Sequence, residues 1–141
     1  MSEFITASPA ETEALAQKIA DKISPCVIAM TGDLGAGKTA FTRGLAKGLG
    51  YKGEVSSPTF AIVHEYIGGR LPLYHFDMYR VDGWEDLYST GYFDYIEQKA
   101  VLSVEWSENI TSAIPDDAVR VDIRRGSLED ERIITVTGVE I

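Results

Sequence analysis

Cys26-Val-Ile-Ala-Met-Thr31-Gly32-Asp-Leu-Gly-Ala-Gly-Lys38-Thr39-Ala40 carries the strongest structural signal in the chain. From Cys26 to Thr31 it is a short, continuous apolar run, which suits a strand buried on both faces of a sheet. Gly32 to Thr39 then matches the phosphate-loop pattern G-x-x-x-x-G-K-[ST] in full, and a helix is expected to begin near Lys38. The spacing has a chemical reason. Glycines let the backbone wrap an anion so that successive N–H groups point inward at it. The helix start adds its positive dipole end to the same charge. Gly32, Asp33, Leu34, Gly35, Ala36, Gly37, Lys38, Thr39 and Ala40 are therefore the candidate nucleotide-binding residues. Lys38 is expected to reach the β- and γ-phosphates, and the Thr39 hydroxyl to bind Mg²⁺.

Working outward, the helix that starts at Lys38 is expected to run to about Lys47. Phe41, Leu45 and Leu49 lie on its inner face, and Gly48 and Gly50 stop it. Upstream, Ser8-Pro9-Ala10-Glu11 reads as a helix start, with Ser8 as cap, Pro9 at the first helical position and Glu11 completing a capping box. Leu15, Ile19 and Ile23 form its apolar stripe, and Ser24-Pro25 ends it. Downstream, Ser56-Ser57-Pro58 is a loop. Phe60 to Ile67 is expected to be a strand, Gly68-Gly69 a two-residue turn, and Leu71 to Phe76 its hairpin partner. Pro72 places that partner at an edge or marks its beginning. The aromatic stretch from Asp82 to Lys99 reads as two short helices broken at Gly91. Ala100 to Val104 is a further buried strand, and Val119–Ile123 and Ile133–Val136 close the chain. The sum is a single α/β domain over residues 1–141, a three-layer P-loop nucleotide-binding fold with a mixed sheet and a β-rich C-terminal half.

A phosphate loop needs a second acidic residue to hold magnesium, usually at the end of a neighbouring hydrophobic strand. Val101-Leu-Ser-Val104 followed by Glu105 meets that need, since a parallel sheet sets such a strand end beside the loop. The alternative for Glu105 is a solvated carboxylate at a strand end. Asp77, in Tyr74-His-Phe-Asp-Met-Tyr-Arg80, is the second candidate, either orienting an attacking water or supporting magnesium. Its alternative is a turn aspartate that caps the next few residues. His64 and His75 show no metal-ligand spacing and read as strand-surface or packed side chains.

The totals set limits. The chain has 141 residues and a formal net charge of −9, with a pI near 4.6. That charge argues against unaided nucleic-acid binding, which needs clustered Lys and Arg. Cys26 is the only cysteine, so neither an intrachain disulfide nor a thiolate zinc site is expected. The N-terminal stretch lacks the basic and apolar regions of a signal peptide. No apolar run approaches the roughly 20 residues that span a bilayer, so a cytoplasmic protein without membrane contact is expected.

The phosphate loop, Ser57-Pro58-Thr59, the His-Phe-Asp-Met-Tyr-Arg run and Val104-Glu105-Trp106, all in this order, closely resemble the TsaE family. These are the ATPase subunits of the bacterial machinery that makes threonylcarbamoyladenosine on tRNA. The resemblance runs from about Pro9 to the last strand. It implies a weak, Mg²⁺-dependent hydrolase of ATP that works with TsaD and TsaB, resets that assembly between turnovers, and meets tRNA only through those partners. By position it implies phosphate and magnesium roles for Lys38 and Thr39, a second magnesium ligand in Glu105, and the acidic residue of the His-Phe-Asp motif in Asp77. Thr59 matches a switch-like loop that senses the γ-phosphate. Pro9, with Ser8, matches a segment near the adenine, and Arg132 a C-terminal position near the nucleotide. Met78, Ala40 and Ser107 depart from the family's usual leucine, threonine and proline.

Two other functions fit parts of the sequence. A small-molecule P-loop kinase would share the loop and use Arg43 or Arg80, but such enzymes carry an acceptor-binding insertion and a lid, for which this length leaves little room. An ATP-responsive binding module with incidental hydrolysis is the other. GTP preference is disfavoured by the lack of an Asn-Lys-x-Asp run.

Overall fold

The computed structural model describes residues 1–32, 37–55 and 63–141. The phosphate-loop residues Asp33, Leu34, Gly35 and Ala36, and the segment with Ser57, Pro58 and Thr59, lie outside the described residues.

The apolar run before the phosphate loop is strand β2, Cys26–Gly32, and it lies inside a single seven-stranded sheet. The other strands are β1 (Ser2–Thr6), β3 (Val63–Tyr66), β4 (Leu73–Asp77), β5 (Val101–Glu105), β6 (Val119–Arg125) and β7 (Arg132–Thr137), in the order β1-β7-β6-β2-β5-β4-β3. Strands β6, β2, β5 and β4 run parallel, and antiparallel pairs finish both edges. The sheet is therefore mixed. Its central strands are apolar nearly throughout because both faces are covered.

Two cores arise from the alternation of side chains along the strands. On one face Ile28, Met30, Val101, Val121 and Ile134 pack against helices α1 (Pro9–Ala20) and α2 (Lys38–Gly48) through Leu15, Ile19, Phe41 and Leu45. On the other face Val27, Ala29, Phe76, Leu102 and Val104 pack under short helices α3 (Gly83–Ser89) and α4 (Tyr92–Ile96), with Leu87 and Tyr92 buried. This gives the three layers.

Helix α1 starts as expected. Ser8 caps it by accepting from the Glu11 N–H at 3.2 Å, and Pro9 takes the first turn. The Glu11 carboxylate reaches back to the Ala7 N–H at 3.1 Å, one residue earlier than a standard capping box. The helix ends at Ala20, before Ser24-Pro25, yet Ile23 is still buried in the core beyond it. At the end of α2, Gly48 is still helical, Leu49 is the cap, and Gly50 and Tyr51 donate back to Lys47 and Ala46.

One expectation is corrected. The β3–β4 connection spans 67–72 rather than the two residues of Gly68-Gly69, since Tyr66 pairs with Leu73. A tight turn there is prevented because Arg70 folds inward, with its N–H on the Leu49 carbonyl and its guanidinium on those of Ala20 and Ile23. Of the two readings of Pro72, the one that marks the strand's beginning holds: β4 starts at the next residue and is interior, while β3 takes the edge. The first residues form β1 against β7, and a 3₁₀ segment covers Ser107–Ala113; neither has periodicity enough to announce itself.

Candidate functional site

The parallel strands set the chemistry at one edge. The ends of β2, β5 and β4 lie side by side, with Met30 in register with Glu105 and Glu105 with Asp77. Thr6, Arg125 and Arg132 align at the same edge in β1, β6 and β7. Val63, the first residue of β3, stands there as well, because β3 runs antiparallel to β4. Ligands of open α/β sheets bind outside these carboxyl ends.

The first motif glycine has a structural job. Gly32 holds φ +133°, and a Cβ there would overlap the backbone of Ile123 on β6. Gly37, at φ +105°, is the residue from which α2 springs, again in a region that side chains rarely adopt. The N-cap residue Gly37 has no side chain with which to cap α2, and the first turn of the helix holds no acidic residue. The N–H groups and positive dipole end of such a helix start suit an outside anion.

Lys38 is nearly buried, at 5% exposure, and its Nζ lies 4.8 Å from the centre of the Trp106 ring. Trp106 follows Glu105 with φ +59°, an uncommon conformation for a bulky residue, and leans on Tyr79 at 4.9 Å. The surrounding loops are tied down. Ser107 donates to the Met30 carbonyl at 3.2 Å, Asn109 to the Met78 carbonyl at 2.8 Å, and the Met78 N–H to the Glu105 carbonyl at 3.0 Å.

Glu105 is not a solvated strand-end carboxylate. Its Oε2 lies 2.9 Å from His75 Nε2, with only 12% of its side chain exposed. Asp77 Oδ1 accepts the Tyr79 N–H at 3.0 Å, so this aspartate does cap the turn after β4, as in its plainer reading. That bond also fixes the carboxyl beside Glu105. Thr39 is half-buried on the first turn of α2, and Ala40 packs into the core.

Arg132 reaches the rim: a Cβ on Gly37 would stand 3.8 Å from its Nε. Thr6 pairs with Arg132, which puts Ser8 and Pro9 at the same sheet edge. The structure thus brings together Gly32, Gly37, Lys38, Glu105, Asp77 and Arg132.

Sequence reasoning missed two groups. His75 is one, and its signal was present: His75 precedes Asp77 by two residues and Ser103 precedes Glu105 by two, so all four share a face. Asp122 is the other. It accepts from Thr31 Oγ1 and Arg124 Nε, both at 2.7 Å. Burial pushes its carboxyl up, but the Thr31 hydroxyl, Arg124 and the charge of Lys38 outweigh this and hold it below the usual carboxylate range.

Among the described residues, no group of three or more His, Cys, Asp or Glu side chains closes around a cation. Magnesium bound through phosphates, waters and one or two carboxylates needs no such cluster, so Glu105 and Asp77 beside the start of α2 fit a magnesium nucleotide. No helix among the described residues is long and apolar enough to cross a membrane.

Comparison with known proteins gives a consistent result. The family model for threonylcarbamoyl adenosine biosynthesis protein TsaE matches residues 6–134. The TsaE protein of Bacillus subtilis is 46% identical over 95% of this chain and 84% of its own length. That of Streptomyces coelicolor is 42% identical over 80% of each. A crystal structure of YdiB from Bacillus subtilis superposes with a TM-score of 0.78 at 38% identity, covering 99% of this chain and 86% of that one. A match that runs from the end of β1 into β7 takes in every strand and helix that builds the site, and the chain belongs to the TsaE family.

Proposed function

We propose that this protein is a Mg²⁺-dependent ATPase that supports threonylcarbamoyladenosine modification of tRNA in the cytoplasm. It works with TsaD and TsaB and meets tRNA only through them. The observation that carries the reading is the meeting of Lys38, Glu105 and Asp77 at the glycine-capped start of α2. The biosynthetic role in the family's name supports the pathway.

The residues divide the work. The Trp106 contact holds Lys38 by about 0.5–2 kcal/mol. Two opposite unit charges 4 Å apart attract by about 4 kcal/mol near a protein surface. Lys38 therefore leaves the ring for a phosphate oxygen when one is offered. The N–H groups from Gly32 to Thr39, including those of Asp33, Leu34, Gly35 and Ala36, wrap the phosphates, with Ala40 in the first helical turn behind them. Thr39 and Glu105 hold the cation, which when bound neutralises charge developing on the phosphoryl oxygens. Asp77, pinned by the Tyr79 N–H, orients the attacking water, and Thr59 senses the γ-phosphate. Pro9 and Arg132 border the nucleoside end.

ATP hydrolysis by the purified chain, alone and with TsaD, TsaB and tRNA, tests this. Slow hydrolysis that rises with the complex, together with repeated rounds of modification, is the expected result. Absence of stimulation, with modification indifferent to this chain, would overturn it, and a phosphorylated small product would point to a kinase.

A further inference from the structure

We infer that His75 is a positioning residue: a buried imidazole that fixes the Glu105 carboxylate through Nε2 and is itself held through Nδ1 by Ser103 on the neighbouring strand. The inference rests on Glu105 being a magnesium ligand, as proposed above.

His75 is 2% exposed and sits in the middle of β4, in register with Ser103 on β5. Its Nε2 is 2.9 Å from Glu105 Oε2. Its Nδ1 is 3.0 Å from Ser103 Oγ and 3.5 Å from Thr42 Oγ1. The protons can be assigned from these partners. The Thr42 hydroxyl donates to the Lys38 carbonyl at 2.9 Å, which leaves its oxygen no proton for the ring. The Ser103 hydroxyl stands between Nδ1 and Met30 Sδ, the latter at 3.1 Å, and thioether sulfur is a weak acceptor. An ionised carboxylate only accepts. Nε2 therefore carries the proton and donates it to Glu105, while Nδ1 accepts from Ser103.

The result is a dry chain of bonds from Ser103 on β5 through the imidazole to the carboxylate. Lys38, Thr42, His75 and Ser103 are all buried, so no water competes for these bonds. A carboxylate with one oxygen fixed in this way presents the other in a defined direction, as partners behind metal ligands commonly ensure. Sequence alternation alone places His75 and Ser103 behind Asp77 and Glu105; the structure adds that the imidazole reaches Glu105 rather than Asp77.

The test combines metal dependence with a measurement on the metal-free protein. In His75→Leu the Mg²⁺ concentration giving half-maximal nucleotide binding should rise roughly 10–100-fold. His75→Gln, whose amide N–H can stand where Nε2–H stood, should recover most of that loss. Adding His75→Leu to Glu105→Ala should change magnesium dependence no further. In the metal-free wild type, ¹⁵N spectra of His75 should show the Nε2–H tautomer. Equal impairment in the Leu and Gln variants, unchanged magnesium dependence in both, or an Nδ1–H ring would overturn the inference. Unchanged magnesium dependence in Glu105→Ala would remove the ligand role of Glu105 itself, and the positioning role would fall with it.

Discussion

Replacing Gly44 with alanine puts a methyl group into the seam between α1 and α2. There the new Cβ would stand 2.7 Å from the Ala16 Cβ and closer still to the Glu13 carbonyl oxygen. One turn on, a Cβ at Gly48 would stand 2.5 Å from the Ala20 Cβ. The small residues Ala16, Ala20, Gly44 and Gly48 thus let the two helices approach closely, and Glu13 bonds Arg43 and Lys47 across the same contact. Two effects compete in Gly44→Ala. Alanine favours the helix by about 1 kcal/mol over glycine. Overpacking costs about 1–3 kcal/mol, and the upper end applies because the nearest obstacle is backbone and the helices must part by roughly 1 Å. The net loss should be about 1–2 kcal/mol, or about 3–7 °C in Tm for a domain of this size. Once Gly44→Ala has parted the helices, Gly48→Ala meets less resistance, so the double variant should lose less than the sum of the singles. Urea and thermal unfolding of the three variants measure this. A Gly44→Ala protein more stable than the parent, or strict additivity of the pair, would refute close packing of the seam.

The site and its borders are open to mutation and titration as well. Asp77→Ala should cut single-turnover hydrolysis more than nucleotide affinity, whereas Glu105→Ala should weaken magnesium-dependent binding and turnover together; equal loss of both quantities in Asp77→Ala would move Asp77 to metal support. Burial, and secondarily Asp117, pushes the Cys26 thiol up to about 11. Its alkylation by iodoacetamide at pH 8 should therefore run roughly a hundredfold slower than that of a free cysteine, and a comparable rate would contradict the burial. The stability linked to that proton is fully present below the ordinary thiol value and lost as pH rises through about 11. Asp122 titrates below its ordinary 3.8, so its contribution is present above that value and lost as pH falls through the lower folded value. Thr31→Val should remove about 0.5–1.5 kcal/mol of it at neutral pH and progressively less as pH falls through the lowered folded value, and a loss that does not change with pH would show that the hydroxyl acts through packing instead.

Much of this architecture was legible because local signals agreed with one another. The apolar run at Cys26, the glycine-lysine-threonine pattern and the stripe of Phe41, Leu45 and Leu49 all specify strand, loop and helix, and the strand and helix sit where expected. The carboxylate pair was legible because each ends an apolar strand. What could not be read depends on contacts distant in sequence. Strand β1 forms because β7 offers it an edge, while its Glu3 and Ile5 face solvent. The long β3–β4 loop is set by Arg70 reaching the end of α1, which no local pattern reports. His75 reads as a packed histidine, and it is one; its meaning appears only when β4 and β5 pair and bring Nε2 to Glu105.

Whether the start of α2 holds a magnesium nucleotide is decided by calorimetric titration of the wild type and of Lys38→Ala with a non-hydrolysable ATP analogue and Mg²⁺. Saturable one-to-one binding by the wild type, needing magnesium, is the expected result. Lys38→Ala should bind roughly 10–100-fold more weakly, because a charge-assisted bond to phosphate is worth about 1.5–3 kcal/mol. Absence of binding by the wild type, or equal affinity in the two proteins, would contradict a nucleotide site built on Lys38.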